Sequence, residues 1–359
     1  MHFCFYFPAL QDKHNNAIFG SMHNSFIEAI MKLGHKASIC TSIKEIDGDI
    51  LITSIGSGYE KTAAQAMFKF NGPVILNTYN AYISFNKPFL KRWKERIIFA
   101  YNPDFATLNY KLYNSLDIPY LHLPLASDPD IFKPINSKKI YDIAFLGNGH
   151  SGYGREKYIE KLIKYTVDNK LSIFLAGSGW EKFGYPFMII QHGEQTNLVY
   201  NQTKVCINIH NDRQFAGVDK EMDANNRLFD LAMAGCCQVT NGKKMIMKYF
   251  NNNEVASADN PDEWIQLIDY YLKNEQLAQQ LAFKARKRAI EEHTWLNRAQ
   301  TFVEFTNEQL KNYYTRNQNV SIYRTALRYL DQKRRPLYQI KEVKIIRRIL
   351  IILGIYTKK

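Results

Sequence analysis

The sequence predicts an α/β protein of two Rossmann-like domains facing a central cleft, followed by a basic helical tail. Three observations predict it. Apolar, strand-like runs alternate with helical segments through the first 126 residues, the alternation restarts after a break at 127–139, and 359 residues suffice for two cores of ordinary size. The composition is 46% hydrophobic and 23% charged with 18 Gly and 11 Pro, which is globular and argues against disorder.

In chain order, HFCFYFP (2–8), HKASICTS (35–42), DILITSI (49–55) and PVILNTY (73–79) read as strands. Between the first two, Phe26, Ile27, Ile30 and Leu33 recur at helical spacing, and Gly34 ends that helix. Further helices are expected near 60–69, 87–95 and 108–115, with YLHLP (120–124) as a closing strand. SDPDIFKPINSKK (127–139) breaks the pattern as a linker, and its Asp128–Pro129–Asp130 reads as a turn rather than a metal-diphosphate site. Strands then resume at 141–147, 171–177, 187–193, 205–210, 237–241 and 254–258, and helices occupy 262–273, 275–292 and 295–313. The expected division is 1–126, a linker at 127–139, 140–300, and C-terminal helices over 301–359.

Three of the cysteines sit in apolar runs, and Cys236 and Cys237 are adjacent, a pattern of reduced, buried thiols. The N-terminal apolar run is too short for a signal peptide or a membrane span. A reducing, cytoplasmic compartment is the expectation. The net charge is +13, and residues 321–359 hold eleven basic against two acidic side chains. Within that tail, Val343, Ile346, Leu350 and Leu353 share one helical face beside Arg347 and Arg348. The uncharged run 349–357 is far short of the roughly 20 residues a span needs. A helix lying on an anionic membrane surface, at its inner face, fits this pattern, and a helix packing back on the protein is the alternative. No nucleic-acid recognition motif accompanies the charge, so nucleic acid is not an expected partner.

The chemistry concentrates in NNRLFDLAMAGCCQVTN (225–241). Asp230 reads as opening a small-residue helix that Gly235 stops. Asn226, Arg227 and Asp230 fall within about one turn at 3.6 residues per turn, so all three can reach one end of the strand–helix layer. A cation for phosphate beside an acid for sugar hydroxyls suggests a bound sugar nucleotide. Upstream, YDIAFLGNGHSGYGR offers Gly147, Asn148, Gly149, Gly152 and Gly154 with Arg155 opening a helix, a phosphate-side turn whose spacing fits neither the dinucleotide fingerprint nor a P-loop. Gly177 in LAGSGW is a second turn of this kind. His192–Gly193 and His210 each follow an apolar run directly, where a histidine is more often structural than catalytic. No G-x-S-x-G elbow, H-E-x-x-H helix or metal-ligand spacing occurs.

Together these pieces resemble glycosyltransferases of the GT-B fold, and most closely their spore-maturation-protein-like branch. YLHLPLASDPDIFKP resembles that branch's interdomain crossing, and YDIAFLGN with Arg155 its donor-domain start. VCINIH, NNRLFDLAMAGC, NNNEVASADNPDEWIQLIDYYL and HTWLNR (293–298) follow its order and spacing. Over 1–119 the resemblance rests on the Gly20 loop and the LGHK helix end. It implies a nucleoside-diphosphate sugar as donor with no further cofactor and no metal. Arg227 and Arg155 would stabilise the leaving group, and Gly147, Asn148, Gly149, Gly177, His192, Gly193, His210, Asn226, Asp230 and Glu254 would line the donor site. Gly20, Tyr79 and Asn80 would face a glycan or lipid-linked acceptor. Asp230 takes the place usually held by a ribose-binding glutamate. The second glutamate expected eight residues earlier is Met222 here, with Glu221 and Asp223 beside it, so the sugar-contacting acid is not assigned. The position after the fourth strand of the first domain, where the family often carries an acid or histidine, falls on Thr78–Asn80, so no base is assigned. A nucleotide-sugar epimerase and an inactive sugar-nucleotide-binding or scaffold protein are the rival expectations.

Overall fold

The computed structural model describes residues 1–8, 18–55, 60–78, 87–102, 107–149, 155–210 and 223–317. Residues Met1–Gln309 form one compact unit. Its first part is β1 (His2–Tyr6), α1 (Ile18–Lys32), β2 (Lys36–Cys40), β3 (Ile50–Ser54), α2 (Glu60–Lys69), β4 (Val74–Asn77), α3 (Lys87–Trp93), β5 (Ile97–Asn102), α4 (Thr107–Asn114) and β6 (Tyr120–His122). These strands form a six-stranded sheet in the order β2-β1-β3-β4-β5-β6, parallel throughout. Every residue of β4 (VILN) and β5 (IIFAYN) is buried, as expected of a parallel sheet covered on both faces.

The second sheet follows an extended crossing. It contains β7 (Tyr141–Leu146), α5 (Glu156–Asp168), β8 (Ile173–Ala176), α6 (Glu194–Asn201), β9 (Thr203–Asn208), α7 (Asn226–Met233), β10 (Gln238–Thr240), α8 (Lys243–Ile246) and β11 (Ala256–Ser257), in the order β11-β10-β9-β7-β8. All its pairs are parallel too. Helices α9 (Pro261–Lys273), α10 (Glu275–Glu292) and α11 (Trp295–Asn317) end the described chain. The aromatic face of α11 packs back on the first sheet. Phe302 is fully buried, with its ring 5.2–5.8 Å from Phe3, Phe26, Phe99 and Tyr101, and Phe305 stands 4.9 Å from Phe99.

The crossing is held at many points. Asp128 accepts Ser25 Oγ at 2.9 Å from α1 and caps its own turn through the Asp130 amide at 2.9 Å, so the Asp-Pro-Asp stretch is a turn. Ser127 donates its amide to His293 O at 3.0 Å and accepts the Trp295 amide at 3.2 Å. The buried Arg298 guanidinium donates to Pro124 O, Leu125 O, Glu292 O and His293 Nδ1 at 2.9–3.3 Å. His122 donates to Asp223, linking the end of β6 to the approach to α7.

Four expectations need correction. Residues 97–102, unassigned on sequence, form β5, an uninterrupted apolar run fully enclosed in the sheet. Residues 187–193, expected as a strand, make only one bridge, Ala176↔Met188, beyond the edge of β8, and both Met188 and Ile189 stay exposed. Asp230 does not open its helix. Asn225 does, accepting the Leu228 amide at 3.2 Å, and Asp230 sits in the second turn. Gly20 lies within α1 rather than in a loop before it. Gly235 does end α7, in the left-handed conformation (φ +68°) that favours glycine. All five cysteines are buried and free. Among the described residues no helix is long and apolar enough to cross a membrane, and the basic tail over 321–359 lies outside them.

Candidate functional site

In both sheets the strand order reverses beside the first strand, between β1 and β3 and between β7 and β9. Parallel sheets bind ligands outside the carboxyl ends of their strands at such a switch point. In the second sheet that place is occupied by Arg227. Its Nη1 donates to Asn208 Oδ1, at the end of β9, at 3.1 Å, and its guanidinium stands 5.0 Å from the centre of the Phe145 ring, on β7. Arg155, which caps α5 without a side-chain bond of its own to the helix, reaches the same ring at 5.4 Å and donates to Asn148 O at 2.8 Å. Two guanidinium groups thus share one aromatic ring, each within cation–π range.

The electrostatics are those of a site short of negative charge. Burial and the neighbouring Arg227 push the Arg155 pKa down to about 10, and burial pushes Arg227 down as well. Both stay protonated at neutral pH, at a cost an anion between them would offset. Among the described residues Arg227 makes no ion pair. At the neighbouring strand end, His210 Nδ1 bonds Thr240 Oγ1 at 3.1 Å and its amide donates to Asn241. Burial, then Arg227, depress its pKa to about 3, so the imidazole is neutral. His210 Nε2 and Asn208 Nδ2 are buried with no hydrogen-bond partner among the described residues, two polar atoms left over at the carboxyl end of β9.

The glycines serve this packing. A Cβ on Gly147 would lie 2.5 Å from Arg227 Nη2 and 3.1 Å from the Phe145 ring, so the guanidinium occupies the space a side chain would take. Gly177 adopts φ +112° against Gly147 and Asn148, and Gly149 abuts Trp180 and Gly179 O. The two turns after β7 and β8 are therefore packed on each other. Asn148 Oδ1 accepts the Ser178 amide at 3.0 Å, and Trp180 Nε1 donates to Gly147 O at 3.0 Å.

The structure brings Asn226, Arg227, Asp230, His192 and His210 together. Asp230 accepts Ser127 Oγ at 2.7 Å, His192 Nε2 at 2.9 Å and Asn226 Nδ2. Gly193 caps α6 next to His192. Glu254 is engaged elsewhere, accepting Arg288 Nε at 2.7 Å and the Asn251 amide at 2.7 Å. Asp223 is likewise committed, to His122, the Tyr249 hydroxyl and the Ala224 amide. Tyr79, Asn80, Gly152, Gly154, Glu221 and Met222 lie outside the described residues. Sequence reasoning missed Ser127 and Asn208. Ser127 lies about a hundred residues from Asp230, but Asn208 ends an apolar run and was open to the same strand-end logic as His210.

Comparison with known proteins follows the same lines. Residues 155–304 match a family model described as glycosyl transferase-like. No curated protein matches the chain. Among solved structures, HepE from Anabaena, crystallised in complex with UDP-glucose, is 9% identical over 86% of this chain and 100% of that one, with TM-score 0.60. A glycosyltransferase from Rickettsia africae ESF-5 is 15% identical over 87% and 99%, with TM-score 0.59. TarM is 11% identical over 72% of this chain, which spans 54% of TarM, with TM-score 0.52. At these identities the likeness is one of fold, and the fold is GT-B.

Two buried histidines give the acid limb of stability. Burial holds His210 at about 3 and His293 at about 4, against 6.5 in the unfolded chain. Each is neutral when folded and takes up a proton on unfolding below pH 6.5, so stability is full above that pH and falls toward pH 4. Chemical denaturation midpoints should fall steadily between pH 6.5 and 4, less steeply in His293→Gln. A flat profile over that window contradicts the burial of neutral imidazoles.

Proposed function

We propose that this GT-B chain transfers a sugar, of hexose type, from a nucleoside-diphosphate sugar to an acceptor, without a metal. The observation that carries the reading is the Arg155–Arg227 pair at the switch point of the second sheet. Breaking a sugar–diphosphate bond leaves negative charge on the departing diphosphate, and catalysis consists largely of stabilising that charge with groups already in place. The two guanidinium groups supply fixed positive charge there, and burial strengthens each contact. The glycosyl transferase-like match over 155–304 supports the same reading, and the HepE complex with UDP-glucose makes uridine the first nucleotide to test.

The acceptor is a glycan or lipid-linked glycan of the cell envelope, met at the inner membrane face. Support comes from residues 321–359, whose eleven basic side chains and apolar stripe suit an anionic lipid surface.

Arg227→Ala should leave the unfolding transition near that of the wild type and lower turnover of UDP-sugars about 10²–10³-fold, the loss typical of one missing charge-stabilising donor. Near-wild-type turnover contradicts the role. In the same assay, sugar interconversion without nucleotide release supports an epimerase, and binding with neither supports a binding protein. For the tail, vesicles rich in anionic lipid should sediment the full chain and release it at high salt, whereas a chain ending at residue 320 should stay in solution. Equal sedimentation of both forms contradicts membrane binding through the tail.

A further inference from the structure

One face of the first sheet is covered by a layer of three helices. Ala63 and Met67 of α2, Phe89 and Leu90 of α3 and Tyr113 of α4 are buried in one cluster with residues of β1, β3, β4 and β5. The layer is fixed as a unit. From the turn after α3, Arg96 donates to Met67 O and Phe70 O at the end of α2, and to Gly72 O at 3.1 Å. Lys94 Nζ donates to Asp117 Oδ2, just beyond α4, at 2.8 Å.

What this layer turns outward is cationic. Lys61, Gln65 and Phe68 recur at helical spacing on the side of α2 opposite Ala63 and Met67, and all three are exposed, Phe68 at 54%. Lys87, Lys91 and Arg92 on α3 are exposed as well, as are Lys111 and, at 45%, Tyr110 on α4. Over 60–69, 87–96 and 107–117 the chain carries eight basic and three acidic side chains, a surplus of five. With +9 of the net +13 in residues 321–359, the whole of 1–320 carries +4. The body of the protein is close to neutral elsewhere, and its cationic surplus sits in this one layer.

Lysines spread evenly over a surface solvate it, whereas a surplus confined to one layer makes a local positive field. Exposed rings among those lysines suit the boundary of a bilayer, where cations meet headgroups and rings reach the acyl region. The geometry points to the outer face of α2, α3 and α4 as a second contact with an anionic lipid bilayer, made once the basic tail has anchored the chain. The inference rests on the membrane placement proposed above. Alone, a face of this charge with two exposed rings binds weakly, because stable peripheral binding takes two signals. Anchoring by the tail raises the effective concentration of the bilayer at this face. Because the sheet is parallel, α2 and α3 start at the carboxyl ends of β3 and β4, and Lys61 and Lys87 stand in their first turns. A bilayer laid on this face therefore reaches the strand ends to which a lipid-linked acceptor would come.

Partitioning of the full chain onto vesicles of phosphatidylcholine with about one-third phosphatidylglycerol tests this. Lys61→Gln/Lys87→Gln/Lys91→Gln should weaken partitioning about tenfold or more, and Phe68→Ser several-fold, with unfolding midpoints near that of the wild type. A control that loses the same charge from other helices, Lys157→Gln/Lys284→Gln/Lys287→Gln, should change it less than about twofold. Equal weakening by the two triple variants, or none by the first, overturns the inference while leaving binding through the tail in place. A wild type that ignores the vesicles overturns the membrane placement itself. Binding as tight to pure phosphatidylcholine overturns the argument from charge. Should the first triple variant keep its partitioning but lose binding to a mixed-sequence oligonucleotide, the face belongs to nucleic acid and the lipid assignment falls.

Discussion

Two like charges held against one phenyl ring are the constraint around which the second domain is arranged. Arg155 and Arg227 approach Phe145 at 5.4 and 5.0 Å, and each is driven toward its neutral form by burial. Cation–π contact, the Asn208 side-chain carbonyl, Tyr200 and the Asp230 carboxylate offset part of that cost. A side chain at residue 147 would displace Arg227, whose guanidinium fills the volume a Cβ would take. Each strand end nearby contributes polar atoms rather than carboxylates: Asn208, His210 and Thr240.

The crossing between the sheets does more than connect them. Ser127 bonds the helix bearing Arg227 through Asp230, while its backbone bonds the start of α11, which packs on the first sheet through Phe302. Arg298 gathers the carbonyls of Pro124 and Leu125 from a buried position, and burial lowers its pKa to about 10. His122 and Asp223 add a second tie between the sheets. The strand ends around Arg155 and Arg227 are therefore braced from both sheets, although the two charges sit on elements of the second.

Much of this was legible in the sequence because it follows local pattern. Alternating apolar runs and helices mark parallel sheets, and α2 and α10 fall within the expected residues. Asn226, Arg227 and Asp230 were placed together because a helix turn places them together. What was not legible depends on tertiary context. The run at 97–102 follows its helix with no Gly, Pro or Asn between them, although Asn102–Pro103–Asp104 marks its end. Residues 187–190 have strand composition but lie past the sheet edge, where a single bridge is all the ladder offers. Asp230 and Glu254 were read from position, whereas the partners they meet, Ser127 and Arg288, are distant in sequence and leave no local signal.

The most direct test of the central claim is a crystal structure of the chain with a nucleoside diphosphate. The account predicts the diphosphate outside the ends of β7 and β9, its oxygens within hydrogen-bond reach of both Arg155 and Arg227. Diphosphate density remote from the Phe145 ring, with the two guanidinium groups unmoved, would contradict it.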